Sequence, residues 1–405
     1  MRLLVNPKWI NILCLIILMI LSLPPRLWQL SAIPPVIVDE PANLRDINKM
    51  IDTPNYYPAN FQWDFNQATL VHYPAIAVVK IFSSLDQLLA LRLTSVALSL
   101  LALIPFFLII QRYTNTYTAF LSTLLFSFSY YYLQFSRVGW TNIHAITLGL
   151  YLLWSLLKTL DKQSKRWLIV AGILAGLTLY TYRGAHIYLL ASFVLIAAKI
   201  LSEHKKRLKM VVFYAIFGVV SLIISTPWLI TVFNNWQQYN LRLSVISVSA
   251  TPLPYHGVYS PGSVWQYQIS TVFKSWFLMQ SISGDNIENK RYLPLGYPAV
   301  NHVVKLLFWA GLIMAVLNFP SYWYWLFILG SGLILGQVLT VDPPNGSRAL
   351  SILPIIYLLS ALPLYALYKR IANKPYLVLA MAIMVSLVAF QDYQFYQYWM
   401  SWIEV

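Results

Sequence analysis

Apolar residues in this chain fall in long continuous runs, not in alternation with polar ones. A bilayer crossing needs about 20 such residues. On that measure spans are predicted at 9–28, 90–110, 117–135, 141–157, 167–181, 186–201, 210–230, 303–319, 322–340, 349–367 and 375–391, about eleven in all. A β-barrel would alternate with a period of two. The predicted fold class is therefore an all-α polytopic membrane protein, read as one integral membrane domain over 1–405. Pro105, Pro227 and Pro354 fall within or near span ends, where membrane helices tolerate them.

Two segments between spans are too long to be simple connectors, 29–89 and 231–302, and loops of that length are usually functional. In the first, "DEPANLRDINKMI" places Leu44, Ile47, Met50 and Ile51 on one helical face. Asp39 stands as an N-cap and Pro41 in the first turn. This predicts an amphipathic helix on the membrane surface. "YPAIAVVKIFSSL" (73–85) is too short to span and reads as a second surface helix.

Composition sharpens the picture. Residues are 59% hydrophobic and 10% charged, far below the roughly 25% of soluble domains. The single cysteine, Cys14, excludes an intrachain disulfide. The net charge of +15 sits in short basic loops, "KTLDKQSKR", "SEHKKRLK" and "YKRIANK". With a cytoplasmic N-terminus the eleven spans put 15 basic and 2 acidic residues inside, leaving 13 basic and 11 acidic residues outside. That is the positive-inside pattern, and it argues against nucleic acid as a partner. The N-terminus reads as a retained signal anchor, because Pro24, Pro25 and Arg26 replace a small-residue cleavage site. Both long segments then lie on the extracytoplasmic side of the cell membrane.

The candidate chemistry collects on that same side. Asp39 and Glu40 open the first surface helix, where a carboxylate can act as base, metal ligand or cap. His72 precedes Tyr73-Pro74 and suits acid–base work or a phosphate contact. Arg137 with Asn142, Arg183 with His186, and Arg348 come from three separate outer loops. One arginine at a span end is easily a snorkelling anchor. Three with polar neighbours point to a shared anion, for which a lipid phosphate is the natural ligand. Asp285, Asn286, Glu288 and Asn289 cluster in the second long loop with no EF-hand spacing. No Walker motif, dinucleotide fingerprint, HExxH or CxxC is present.

The order of motifs, "DE", "VHYP", "ALRLTSVALSLL", "SRVGWTNI", "LYTYRGAH" and "PPNGSRALSILP", resembles the polyprenyl-phosphate-dependent glycosyltransferases of the GT-C fold. The nearest groups are protein O-mannosyltransferases and aminoarabinose transferases. The resemblance implies inverting sugar transfer from a polyprenyl- or dolichyl-phosphate donor to a glycan, lipid or protein acceptor at the outer face. It implies Asp39 as catalytic base with Glu40 its neighbour, Arg137, Arg183 and Arg348 on the departing phosphate, and His72 assisting. His72 stands where aminoarabinose transferases carry lysine, and Asn142 where many relatives carry an acid. A divalent metal is possible, with its ligands unknown. A flippase of an anionic lipid is the alternative, and a non-catalytic scaffold a third. The near absence of charge at mid-span favours surface chemistry over translocation.

Overall fold

The computed structural model describes residues 7–37, 39–53, 57–62, 67–250, 257–279 and 290–403. Those residues are almost wholly helical, the only β-pairing among them being two isolated bridges. The chain runs through α1 (Pro7–Leu27), α2 (Asp39–Asp52), α3 (Tyr73–Ile81), α4 (Gln87–Tyr113), α5 (Thr116–Phe128), α6 (Tyr130–Arg137), α7 (Asn142–Lys162) and α8 (Lys165–Thr178). It continues through α9 (His186–Ser202), α10 (Arg207–Asn234), α11 (Trp236–Ile246), α12 (Pro261–Val272), α13 (His302–Leu317), α14 (Phe319–Leu333), α15 (Gly346–Ala349), α16 (Leu353–Ile371) and α17 (Pro375–Trp402). Local sequence sets the starts. Asp86, Asn115, Ser260 and Asn301 each accept a backbone N–H of the first turn and so cap α4, α5, α12 and α13.

Among the described residues, seven helices are long and apolar enough to cross a membrane, which marks a multi-pass membrane protein. They begin at Trp9, Gln87, Asn142, Arg183, Arg207, Gly346 and Pro375. The count of eleven is not reproduced by helix length. Apolar runs read as spans from sequence become shorter helices, among them α5 and α13. The expected span 117–135 is broken at Ser129, whose backbone is extended. The piece beyond it, α6, is buried along its whole length. The hydroxyls of Tyr130, Tyr131 and Tyr132 donate to the carbonyls of Pro298, Gly346 and Ser99, so this run of aromatics belongs to the protein interior.

The innermost crossings are α7 and the stretch containing α16, while α1, α10 and α17 turn most of their surface outward. Phe233 and Leu317, each 82% exposed, show how apolar that outer surface is. In a bilayer such side chains meet hydrocarbon, which costs them nothing.

The first long segment does not fold as the sequence pattern implies. Ile47 and Met50 of α2 are buried against Ala75, Ile76 and Leu91 of α3 and α4, with Leu44 alongside, whereas Ile51 is exposed. Glu40, Asn43 and Asp46 are buried too. The inner face of α2 is thus part polar, and its apolar residues are spent on protein instead of a membrane surface.

Candidate active site

A docked helix places the first acid. Glu40 is wholly buried and accepts four hydrogen bonds. Two come from Arg92 of α4, Nε at 2.8 Å and Nη2 at 2.7 Å, one from the Gly139 amide at 2.8 Å and one from the Ile37 amide at 3.1 Å. Asn43, one turn on, donates to the Gly139 carbonyl at 2.7 Å. Gly139 is thereby held through both its amide and its carbonyl. A Cβ there would come within 2.5 Å of Leu91, so only glycine lets the strand of chain approach so closely. Arg92 also donates to the carbonyl of Leu30 at 2.9 Å, tying the exit of α1 to the start of α2. With its own carboxylate outside this lock, Asp39 is left at the rim of a cavity.

That cavity has a volume of about 430 Å³. Its polar end is lined by Asp39, Asn43, Gln67, Thr141, Asn142 and Ser347. Asn142 donates to the Ser347 hydroxyl at 2.9 Å, which in turn donates to Tyr182 at 3.0 Å. Thr141 donates to Gln67 at 3.2 Å. Two cations enter from different elements. Arg183 lies over the ring of Tyr239, 4.2 Å from its centroid, and donates to the Tyr239 carbonyl at 2.7 Å. Arg348 donates to the Val341 carbonyl at 2.6 Å, and its own amide is capped by Asn345. His186, first residue of α9, lines the same wall, and its shielded Nε2 has no hydrogen-bond partner. The apolar lining is formed by residues that include Ile187, Leu190, Leu243, Ile246 and Leu335. Leu190, Leu243 and Leu335 are each partly exposed at the outer surface of the helices.

Among the described residues, Asp39 is the only carboxylate lining the cavity. It faces Arg291, 3.9 Å from Oδ1 to Nη1, with about a quarter of its side chain exposed. Among the described residues no group of three or more His, Cys, Asp or Glu is placed to hold a metal ion.

Five of the eight residues singled out from sequence, Asp39, Asn142, Arg183, His186 and Arg348, meet in this cavity. Three do not reach it. Glu40 is consumed by Arg92 and two backbone amides. His72 is buried behind α2, with Nε2 2.9 Å from the Gln62 amide nitrogen and 3.6 Å from Asp46. Arg137, fully buried, donates to the carbonyls of Pro25, Trp28 (2.5 Å) and Ile33 (2.8 Å) and stacks over Tyr396. It satisfies the carbonyls at the end of α1, as a basic residue does at a helix C-terminus. Asp285, Asn286, Glu288 and Asn289 lie outside the described residues. The sequence reading missed Arg92, Gln67, Tyr182, Tyr239, Arg291 and Ser347. Arg92 had a signal, a charge inside an apolar run, which is costly without a partner. The others are ordinary polar or aromatic residues, and nothing local in the sequence sets them apart.

The family model for dolichyl-phosphate-mannose-protein mannosyltransferase matches residues 66–231. No curated protein matches this sequence. Among solved structures, the oligosaccharyltransferase of Archaeoglobus fulgidus, crystallised with zinc and sulfate, is similar at 15% identity and a TM-score of 0.59, over 96% of this chain and 53% of that one. ArnT from Cupriavidus metallidurans is similar in its apo state at 13% identity and a TM-score of 0.59, over 94% of this chain and 64% of its own. Bound to undecaprenyl phosphate, ArnT gives 14% identity and a TM-score of 0.60, over 98% and 70%. The chain thus spans about half to two-thirds of the length of these neighbours. Such likenesses at low identity show the fold, and the fold is GT-C.

Proposed function

We propose that this GT-C chain is a glycosyltransferase that moves a sugar from a polyprenyl-phosphate donor to an acceptor at the extracytoplasmic face, with inversion, and that Asp39 is the base. One observation carries the reading. A single cavity is lined by one carboxylate, by amides and hydroxyls, by two arginines fixed by backbone carbonyls, and by partly exposed leucines. A polyprenyl-phosphate sugar has matching parts: a hydroxyl-rich head, an anion and hydrocarbon. The mannosyltransferase family match and the undecaprenyl phosphate carried by ArnT support the same donor class.

In this mechanism Arg183 and Arg348 bind the phosphate, and His186 offers it a further contact through its unpartnered Nε2. Asn142, Gln67, Thr141 and Ser347 hold the sugar hydroxyls. The acceptor enters beside Asp39 and Arg291. Asp39 takes the acceptor's proton as the acceptor oxygen bonds to the anomeric carbon. The bond from that carbon to the phosphate oxygen breaks, and its electron pair leaves on the phosphate. Fixed arginines stabilise that charge as it develops, without reorganising first. Holding the reactants in line supplies much of the rest. The basic loops follow the far ends of α7, α9 and α16, whose starts lie at the site, and this supports a cytoplasmic N-terminus by the positive-inside rule.

The test is transfer or hydrolysis of a panel of radiolabelled undecaprenyl-phosphate sugars by the protein in nanodiscs. Turnover by wild type that falls by about 10²-fold or more in folded Asp39→Asn is the expected result. Wild-type turnover in Asp39→Asn removes Asp39 as base. Binding of the panel with no turnover removes the transferase reading and favours lipid translocation.

A further inference from the structure

Behind the cavity wall lies a second polar group that the mechanism above does not use. Asp39, Asn43 and Asp46 follow one another at spacings of four and three along α2, so they stack on one face. Asn43 lines the cavity. Asp46 is wholly buried and contacts His72, which is also wholly buried. Gln62 closes the cluster against His72 Nε2 at 2.9 Å. His144, at the first turn of α7, is close enough to His72 for their charges to interact.

Among the described residues, two buried atoms of this group, Asn43 Oδ1 and His72 Nδ1, have no hydrogen-bond partner. An unpaired buried polar atom costs about 1–3 kcal/mol. Ordered water, which makes two to four hydrogen bonds to such atoms, would satisfy both. The tautomer of His72 follows from Gln62, whose amide oxygen and nitrogen exchange places by a half-turn. With its oxygen toward the ring, the amide accepts from Nε2–H, Asp46 stands on the same side, and the lone pair of Nδ1 is left open. That is a base oriented by a carboxylate.

We infer that His72, oriented by Asp46, receives the acceptor's proton from Asp39 through water bound at Asn43, a relay that returns Asp39 to its charged state. The inference rests on the reading of Asp39 as base. The balance is simple. The acceptor O–H bond breaks, the proton passes to Asp39 and then to His72 Nδ1, and the resulting imidazolium faces the Asp46 carboxylate. The proton leaves when the lipid phosphate product departs and solvent refills the cavity. Asn43 and Asp46 act as positioning residues, since neither touches substrate at the reacting atoms.

The experiment uses the full chain in nanodiscs with the same panel of radiolabelled undecaprenyl-phosphate sugars. Asp39→Asn is run beside it, so that failure of the base reading shows separately as undiminished turnover in that variant. His72→Ala is expected to lose turnover on the order of 10²-fold with little change in KM for the sugar donor. Added imidazole is expected to restore turnover in His72→Ala, while pyrazole, of the same shape but far weaker as a base, is not. Equal restoration by both overturns the relay and makes His72 a packing residue, and so does failure of imidazole to restore the folded variant. His72→Gln keeps a polar side chain against Gln62 and guards against loss of folding. It is expected to be slow, and wild-type turnover in it overturns the inference.

Discussion

Glu40 takes both prongs of the Arg92 guanidinium, Oε1 from Nε and Oε2 from Nη2, and neither side chain reaches solvent. A bidentate pair of this kind fixes direction as well as distance. Removing one partner of a buried pair typically costs about 3–5 kcal/mol, because the other charge is left uncompensated. Arg92→Ala and Glu40→Ala are therefore expected to lower the thermal midpoint sharply in detergent. Arg92→Lys should rescue little, since a lysine cannot fork. A midpoint within a degree or two of wild type in Arg92→Ala would show that α2 is held by other contacts.

This pair also shows what the sequence made legible and what it did not. The acids were visible as a pair at the start of a helix, and five of the eight residues flagged do share a cavity. Their division of labour was not visible. Asp39 and Glu40 are adjacent, so a helix turns them about 100° apart. One faces the cavity and the other faces α4, and only the position of Arg92, 52 residues away, decides which. Arg137 and Arg183 looked alike in sequence as basic residues at span ends. The first is spent on three carbonyls around the end of α1, the second stands over Tyr239 in the cavity. The break in the expected span 117–135 has the same root. Hydropathy reports that a segment avoids water, and α6 avoids it inside the protein.

On the proposed reading Arg183 and Arg348 share the donor's phosphate, so each should matter for binding more than for folding. A hydrogen bond to a charged group contributes about 1.5–3 kcal/mol, and 1.4 kcal/mol is tenfold in affinity. Arg183→Ala and Arg348→Ala are each expected to raise the Kd for undecaprenyl phosphate roughly 10- to 100-fold, measured by quenching of the protein's tryptophan fluorescence. Arg183→Lys should recover only part, because the ring of Tyr239 is matched to a planar cation. Unchanged affinity in both alanine variants would move the anion site elsewhere.

The apolar end of the cavity predicts a dependence on chain length. Leu335 and Leu190 line the cavity and are partly exposed, which on the proposed reading makes them the exit of the isoprenoid toward the bilayer. Leu335→Trp is expected to raise KM for a long-chain undecaprenyl donor several-fold while sparing a donor with one or two isoprene units. The two donors are compared on the same preparation, so a general loss of folding would lower both. Equal loss for both chain lengths would exclude this end as the lipid exit.

Gly311 of α13 gives a prediction about the frame that carries the site. A Cβ at this position would sit 1.9 Å from the Leu359 carbonyl oxygen of α16, a backbone atom that cannot swing aside. Gly218 of α10 has open space at the same point, nothing lying within 4 Å. Overpacking a close contact typically costs about 1–3 kcal/mol, whereas an alanine in open helical space gains up to about 1 kcal/mol over glycine in helix propensity. Gly311→Ala is expected to lower the thermal midpoint and Gly218→Ala to hold or raise it. Neither residue lines the cavity, so Kd for undecaprenyl phosphate should stay unchanged in whatever fraction remains folded. A stable Gly311→Ala would mean that α13 and α16 can separate without loss. That outcome would weaken the view of α16 as the rigid inner wall from which Arg348, a few residues upstream, is presented to the cavity.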